Sequence, residues 1–305
     1  MKLPSARGPV SAALIDVLGG QGGTLPVAPR FGDAEDLHLT LFVCYEFAYR
    51  GWDGVSDRWE WDPDLLRVRA AAEERFEADL HELVGPPVPV DPETVPAMLR
   101  EIAEADGPSL SGYLRARATR EQFREFVINR SVYHLREADP HTYVIPRLAG
   151  KPKAALIEIQ LDEYGGGDLP RMHQELFKKT MRWFDLDLTY GAYVDSVGAA
   201  TLANNNLMSL FALHRRNRGA MIGHLAAYEM TSTAPNRAYA NGLRRLGGDA
   251  DATAFYDEHV EADAVHEQIA AHDLAGSFAL AEPERAGDVL FGARCAMALD
   301  AQWAQ

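Results

Sequence analysis

The stretch FYDEHVEADAVHEQIAAH, residues 255–272, repeats metal-competent side chains at i, i+4 and i+7: His259, Asp263 and His266. On an α-helix these positions fall within about 60° of one another, so two imidazoles and a carboxylate leave one face together. A solvated polar face is the simpler alternative, but the neighbours argue against it. The stripe lies between Phe255, Ala262 and Ile269 on one side and Ala252 and Ala270 on the other, whereas Glu258, Glu261 and Glu267 point elsewhere. It therefore belongs to the apolar, inward face. A buried carboxylate or imidazole is costly without a partner, and a metal ion is one such partner.

A metal site inside a helical bundle draws on facing helices, and three further residues qualify by the same face counting. Glu163 shares a face with Leu156 and Ile159, whereas Glu158 and Asp162 point largely away. His173 shares one with Leu176, Phe177, Thr180 and Phe184, and Glu229 follows Ile222, Leu225 and Ala226. Gly219 and Gly223, on the helix of Glu229, permit a neighbouring helix to approach closely. Taken singly, each has a bland explanation, a hydrogen-bonded core histidine or a partly solvated glutamate. Together, three carboxylates and three imidazoles on the core faces of four helices form a donor set. Oxygen and nitrogen donors without thiolate suit iron or manganese, with zinc less apt. Six protein ligands are too many for one ion that keeps a coordination position open, so two carboxylate-bridged ions fit the count better.

The elements that must position these groups are helical. After a Gly- and Pro-rich start (residues 1–32), expected to be a peripheral arm or short helix rather than a signal peptide, the periodicity is that of helices. Helices are expected within 37–51 and at 64–85, then near 119–138, 152–164, 170–186, 191–216, 219–231, 251–273 and 285–302. The breaks fall at Pro140, Pro146 and Pro152, at Gly165, Gly166 and Gly167, at Pro235, and at Gly247 and Gly248; residues 84–96 form a proline-rich connector. No strand pair is evident, so the expected fold is an all-α bundle in a single domain, with the arm at 1–32, N-terminal helices and connector at 33–118, the core at 119–275 and a last helix at 276–305.

Thirty basic against 45 acidic residues give a formal charge of −15, which disfavours nucleic acid and anionic membranes as partners. No apolar run is long enough to span a membrane. Cys44 and Cys295 are too few for a disulfide framework or a thiolate zinc site, and a reducing cytoplasm is the default location.

An inward Glu, a His ten residues later, a distant Glu and then H-x-x-x-D-x-x-H resemble the haem-oxygenase-like non-haem di-iron oxidases and oxygenases, a group of iron-containing redox enzymes. Here the elements are Glu163, His173, Glu229 and His259-Val-Glu-Ala-Asp263-Ala-Val-His266. The likeness covers roughly residues 119–275. It implies a seven-helix haem-oxygenase-like bundle, extended by N-terminal helices, holding two Fe(II)/Fe(III) ions and no haem, with those six residues as metal ligands and O₂ as cosubstrate. The paired Glu-x-x-His pattern of ferritin-like proteins is absent. Relatives that hydroxylate nitrogen use an additional carboxylate on the first core helix, for which Glu137 is the matching catalytic candidate; a salt bridge with Arg130 or Arg136 accounts for it equally well. The resemblance implies a peroxo-diferric oxidant and, by preference, N-oxygenation of a small amine or related nitrogen compound. Oxidative C–C cleavage of an amino acid or fatty acid is the alternative, and a fatty acid would require a long apolar tunnel. A non-catalytic ligand- or metal-holding bundle stays open, and a catalytic cysteine, as in related thiamin-degrading helical enzymes, ranks low because Cys44 sits in an apolar run. The expected partner is a small-molecule substrate; an external electron donor and a homodimer are both compatible.

Overall fold

The structure, a computed structural model, describes all residues except 106–108, and describes 262–265 without their side chains. Asp263 accordingly lies outside the described side chains. Every regular element among the described residues is helical. In chain order they are α1 (Pro9–Leu18), α2 (Ala34–Glu46), α3 (Pro63–Val84), α4 (Val95–Ala103), α5 (Leu110–Ala116), α6 (Arg120–His134), α7 (Asp139–Thr142), α8 (Gly150–Glu163), α9 (His173–Trp183), α10 (Ala199–Leu213), α11 (Arg218–Thr231), α12 (Thr233–Arg245), α13 (Ala250–Gln268), α14 (Ser277–Ala281) and α15 (Ala286–Trp303).

Local chemistry sets several of these boundaries. The Asp62 side chain accepts from the amides of Asp64 and Leu65, and Pro63 occupies the first position of α3, where its missing N–H costs nothing. Thr119 and Gln122 cap α6 reciprocally, and Asp249 caps α13 by accepting from the Ala252 amide.

The structure corrects some of the expected elements. Pro235 does not separate two helices: it lies in the first turn of α12, where a proline is tolerated, so 233–245 is helical. Residues 95–103 and 110–116 are helices beyond those expected, whereas 9–18 is the short helix allowed for the N-terminal arm. The segment expected as one helix over 191–216 narrows to α10, flanked by 3-10 turns at Val194–Ser196 and Arg215–Asn217. The α-helical period of α13 ends at Gln268, and Ile269–Gly276 continues as a wider π-helix. Face counting therefore holds for 259–266 but fails beyond 268.

Two apolar clusters fill the interior. One gathers Leu156 and Ile159 of α8, Leu225 and Ala226 of α11, and residues of α3, α4, α10, α15 and the π-helical segment. The other gathers Phe177 of α9, Phe255 and Tyr256 of α13, Phe123 and Val127 of α6, and residues of α1 and α2. Within the first cluster α11 and α15 approach backbone to backbone. A Cβ on Gly223 would lie 1.8 Å from the carbonyl oxygen of Val289, and one on Gly292 would lie 1.9 Å from that of Ala220. Helices from both clusters, α8 and α11 from one and α9 and α13 from the other, carry the residues singled out in the sequence. No helix among the described residues is long and apolar enough to cross a membrane.

Candidate metal centre

Glu163 ends α8, and the chain must then reverse so that α9 can begin at His173. The turn depends on Gly165, whose φ of +61° is in the left-handed region and whose Cβ position lies 2.6 Å from backbone atoms of Arg171 and Met172. With no side chain there, the two helix ends close on each other, and His173 Nδ1 comes 3.1 Å from Glu163 Oε2.

Across from them, α13 presents His259. Ligand atoms of Glu163, His173 and His259 all lie within 4.8 Å of one another, and the rings of His173 and His259 are 4.5 Å apart between centres. His259 Nδ1 lies 2.7 Å from the Phe255 carbonyl oxygen, so this N–H donates to the backbone and leaves Nε2 as a free lone pair. That backbone acceptor is invisible to side-chain reasoning, although the i, i−4 spacing places it there for any helical histidine with a suitable rotamer.

Two turns along α13, His266 Nδ1 lies 3.5 Å from Glu229 Oε2, which α11 supplies. Between the two groups stands Asp162. Its Oδ2 is 3.9 Å from His173 Nε2 and 3.7 Å from His266 Nε2. This corrects the expectation that Asp162 points away: at the last turn of α8 its short side chain reaches into the gap between α9 and α13. The signal missed was its adjacency to Glu163 at a helix end, where the apolar stripe no longer defines inside and outside. The structure thus gathers Glu163, His173, Glu229, His259 and His266, with Asp162 added.

Apart from the half-buried Asp162 these groups are buried, and the set is under-partnered. Asp162 Oδ2, Glu163 Oε2, both ring nitrogens of His173 and His266 Nδ1 have no aligned hydrogen-bond partner among the described residues. Short approaches without hydrogen-bond alignment mean that lone pairs face a common space rather than each other. Such a set is costly when empty and is satisfied by a cation. The protonation pattern agrees. Burial raises the Glu163 carboxyl, with His173 opposing. Burial would lower His173, but Glu163, Glu137 and Asp162 outweigh it and hold the ring up at about 9. Burial and then the neighbouring His173 push His259 down to about 3. Against burial, Glu229, Asp162 and Glu163 keep His266 above its ordinary value. In the metal-free protein, protons stand where a cation would bind. Oxygen and nitrogen donors of this kind fit iron.

Glu137 lies beyond the end of α6, so its direction is set by a turn and not by the helix face. His134 Nδ1 donates to Glu137 Oε2 at 2.9 Å. Neither expected arginine takes it: Arg130 Nη2 donates to Asp300 Oδ1 at 2.8 Å, and the fully buried Arg136 lies 3.5 Å from Glu46. Burial would raise the Glu137 carboxyl, yet His134, with His259 and His173 beyond, holds it down at about 2. Glu137, His134 and His259 line a cavity of about 120 Å³, walled also by Tyr133, Tyr228, Tyr239 and Phe255 and bounded by Arg130 and Asp300.

Cys44 and Cys295 are buried, and burial pushes both thiols up to about 12, which leaves neither as a nucleophile. No curated protein matches the chain. Residues 124–301, more than half of its length, match a family described as iron-containing redox enzyme. Together with the all-α haem-oxygenase-like bundle, that match makes the chain a member of the iron-containing redox enzyme family.

Proposed function

We propose that the protein is an O₂-activating non-haem di-iron oxygenase that oxygenates a small amine or related nitrogen compound. The observation that carries this reading is the convergence of Glu163, His173 and His259 to within 4.8 Å, with a second donor group, His266 and Glu229, beside it. Glu163, His173 and His259 would hold one iron. Glu229, His266 and Asp263, the last from its sequence position, would hold the other, and Asp162 stands where it touches both groups. When bound, a pair of ferrous ions would supply two electrons for the reduction of O₂, with an external electron donor restoring them after turnover.

The chain's own residues do the rest. The Phe255 carbonyl fixes the tautomer of His259. Phe177 and Phe255, each fully buried, pack on His134 at 4.7 and 4.6 Å and screen the centre from water. Glu137, kept ionised by its hydrogen bond from His134, faces the cavity that opens beside His259 and is placed to hold a substrate ammonium by a charge-assisted hydrogen bond. The cavity volume of about 120 Å³ favours a small substrate over the long chain of a fatty acid. Iron-loaded protein should consume O₂ on addition of a small amine and release an N-oxygenated product detectable by mass spectrometry. Oxygen uptake independent of every amine offered, or a product shortened by one carbon, would refute the N-oxygenation reading.

A further inference from the structure

Building on the oxygenase reading above, we propose that the cavity beside His259 selects a small monocationic amine that carries no carboxylate, and so discriminates against amino acids. The charges lining the cavity lead to this. Three side chains there are charged: Arg130, Glu137 and Asp300. Arg130 is the single cation among them, and it is already committed. Its Nη2 donates to Asp300 at 2.8 Å, and its guanidinium lies 3.9 Å over the Trp303 ring with Phe126 at 5.9 Å. Among the described residues the Glu137 carboxylate accepts from an imidazole, that of His134. Arg130 thus offsets Asp300, and no guanidinium or ammonium among the lining residues offsets Glu137. One negative charge is left over.

Loading with iron does not change the balance. Asp162, Glu163, Glu229 and Asp263 bring four negative charges, which match two ferrous ions and leave Glu137 in surplus. The other lining residues bring no charge: Thr231, Ser232, Pro235 and Asn236 are neutral, and Tyr133, Tyr228, Tyr239 and Phe255 are aromatic, a lining that suits an ammonium better than a carboxylate. An amino acid would have to bury its carboxylate beside Glu137 and Asp300, with the one guanidinium already paired. At about 120 Å³ the cavity is close to the roughly 150 Å³ that accepts a benzene ring in a protein core, so one six-membered ring carrying a short polar head is the scale of ligand it takes.

The test compares benzylamine, phenylglycine and benzyl alcohol by calorimetry on the full-length, metal-free protein, then on the iron-loaded protein without O₂. Benzylamine should bind roughly 10- to 100-fold more tightly than either of the others, the range set by one charge-assisted hydrogen bond. Glu137→Gln should bring benzylamine down to the level of benzyl alcohol. Asp300→Asn frees Arg130 and should raise phenylglycine affinity about tenfold or more, with circular dichroism checking that the variant is folded. Phenylglycine binding wild-type protein as tightly as benzylamine, or none of the three binding at millimolar concentration, overturns the inference; this comparison needs no variant. Amine selectivity without O₂ consumption in iron-loaded protein would sink the oxygenase reading and leave the selectivity standing. Oxygen uptake driven by carboxylate-bearing compounds alone would do the reverse.

Discussion

Replacing Gly223 by alanine adds one methyl group where α11 meets α15, 1.8 Å from the Val289 carbonyl oxygen and 2.6 Å from its carbon. Ordinary van der Waals contact begins near 3.4 Å, so the two backbones must part by about 1.5 Å, and no flexible side chain can move instead. Overpacking of this kind costs roughly 1–3 kcal/mol, and a rigid backbone neighbour places it at the upper end. Alanine's better helix propensity returns about 1 kcal/mol, leaving a net loss of roughly 2 kcal/mol. The displacement also has a functional reading. Glu229 lies six residues further along α11, so moving the helix shifts it relative to His266, now 3.5 Å away. Urea unfolding followed by circular dichroism measures the first effect, and anaerobic Fe(II) binding measures the second. Gly32→Ala, with nothing within 4 Å and an ordinary backbone conformation, is the matched control. A Gly223→Ala midpoint equal to that of Gly32→Ala would refute the claim that this crossing holds the site.

Other outcomes follow from the same geometry. His266→Ala removes one partner of Glu229 and Asp162, and should abolish the transient visible absorption that forms when anaerobically reconstituted Fe(II) protein meets O₂; unchanged turnover would contradict the site. Asp162→Asn keeps the shape but removes the negative charge between the two groups, and should weaken one iron by about 10-fold or more while leaving the fold intact, as read by competition with a chelator. His38 and His141 are buried, and desolvation lowers each from 6.5 to about 4. Both rings bind protons in the unfolded chain before they do so in the folded one, so stability is complete above about pH 6.5 and falls as pH drops toward 4, by roughly 3 kcal/mol per ring. His141→Asn should lose less stability than wild type between pH 7 and 4.5 in urea titrations; equal losses would exclude His141 as a contributor.

The sequence disclosed most where one helix carried the pattern. His259 and His266 are legible because α13 is regular from Ala250 to Gln268 and its inward face is marked by Ala252 and Phe255. Gly223 is legible in part, since two glycines four residues apart on the helix of Glu229 mark a close helix crossing. What stayed hidden lies at helix ends and across large sequence separations. Asp162 was assigned outward because face counting assumes that the helix continues, and α8 stops one residue later. Glu137 follows the end of α6, and its partner is three residues back, while the arginines expected to hold it found acids at positions 46 and 300. Helix α12 was missed because a proline was read as a break when it sits in a first turn. The π-helical run after Gln268 leaves no local signal in composition.

The account stands on two irons held by donors from four helices. Anaerobic Fe(II) titration by calorimetry, on wild type and on Glu163→Ala and Glu229→Ala separately, tests that most directly. Two equivalents per chain in wild type, with one lost or weakened in each variant, is the predicted result. One equivalent or none in wild type, or two equivalents unaltered in both variants, would contradict it.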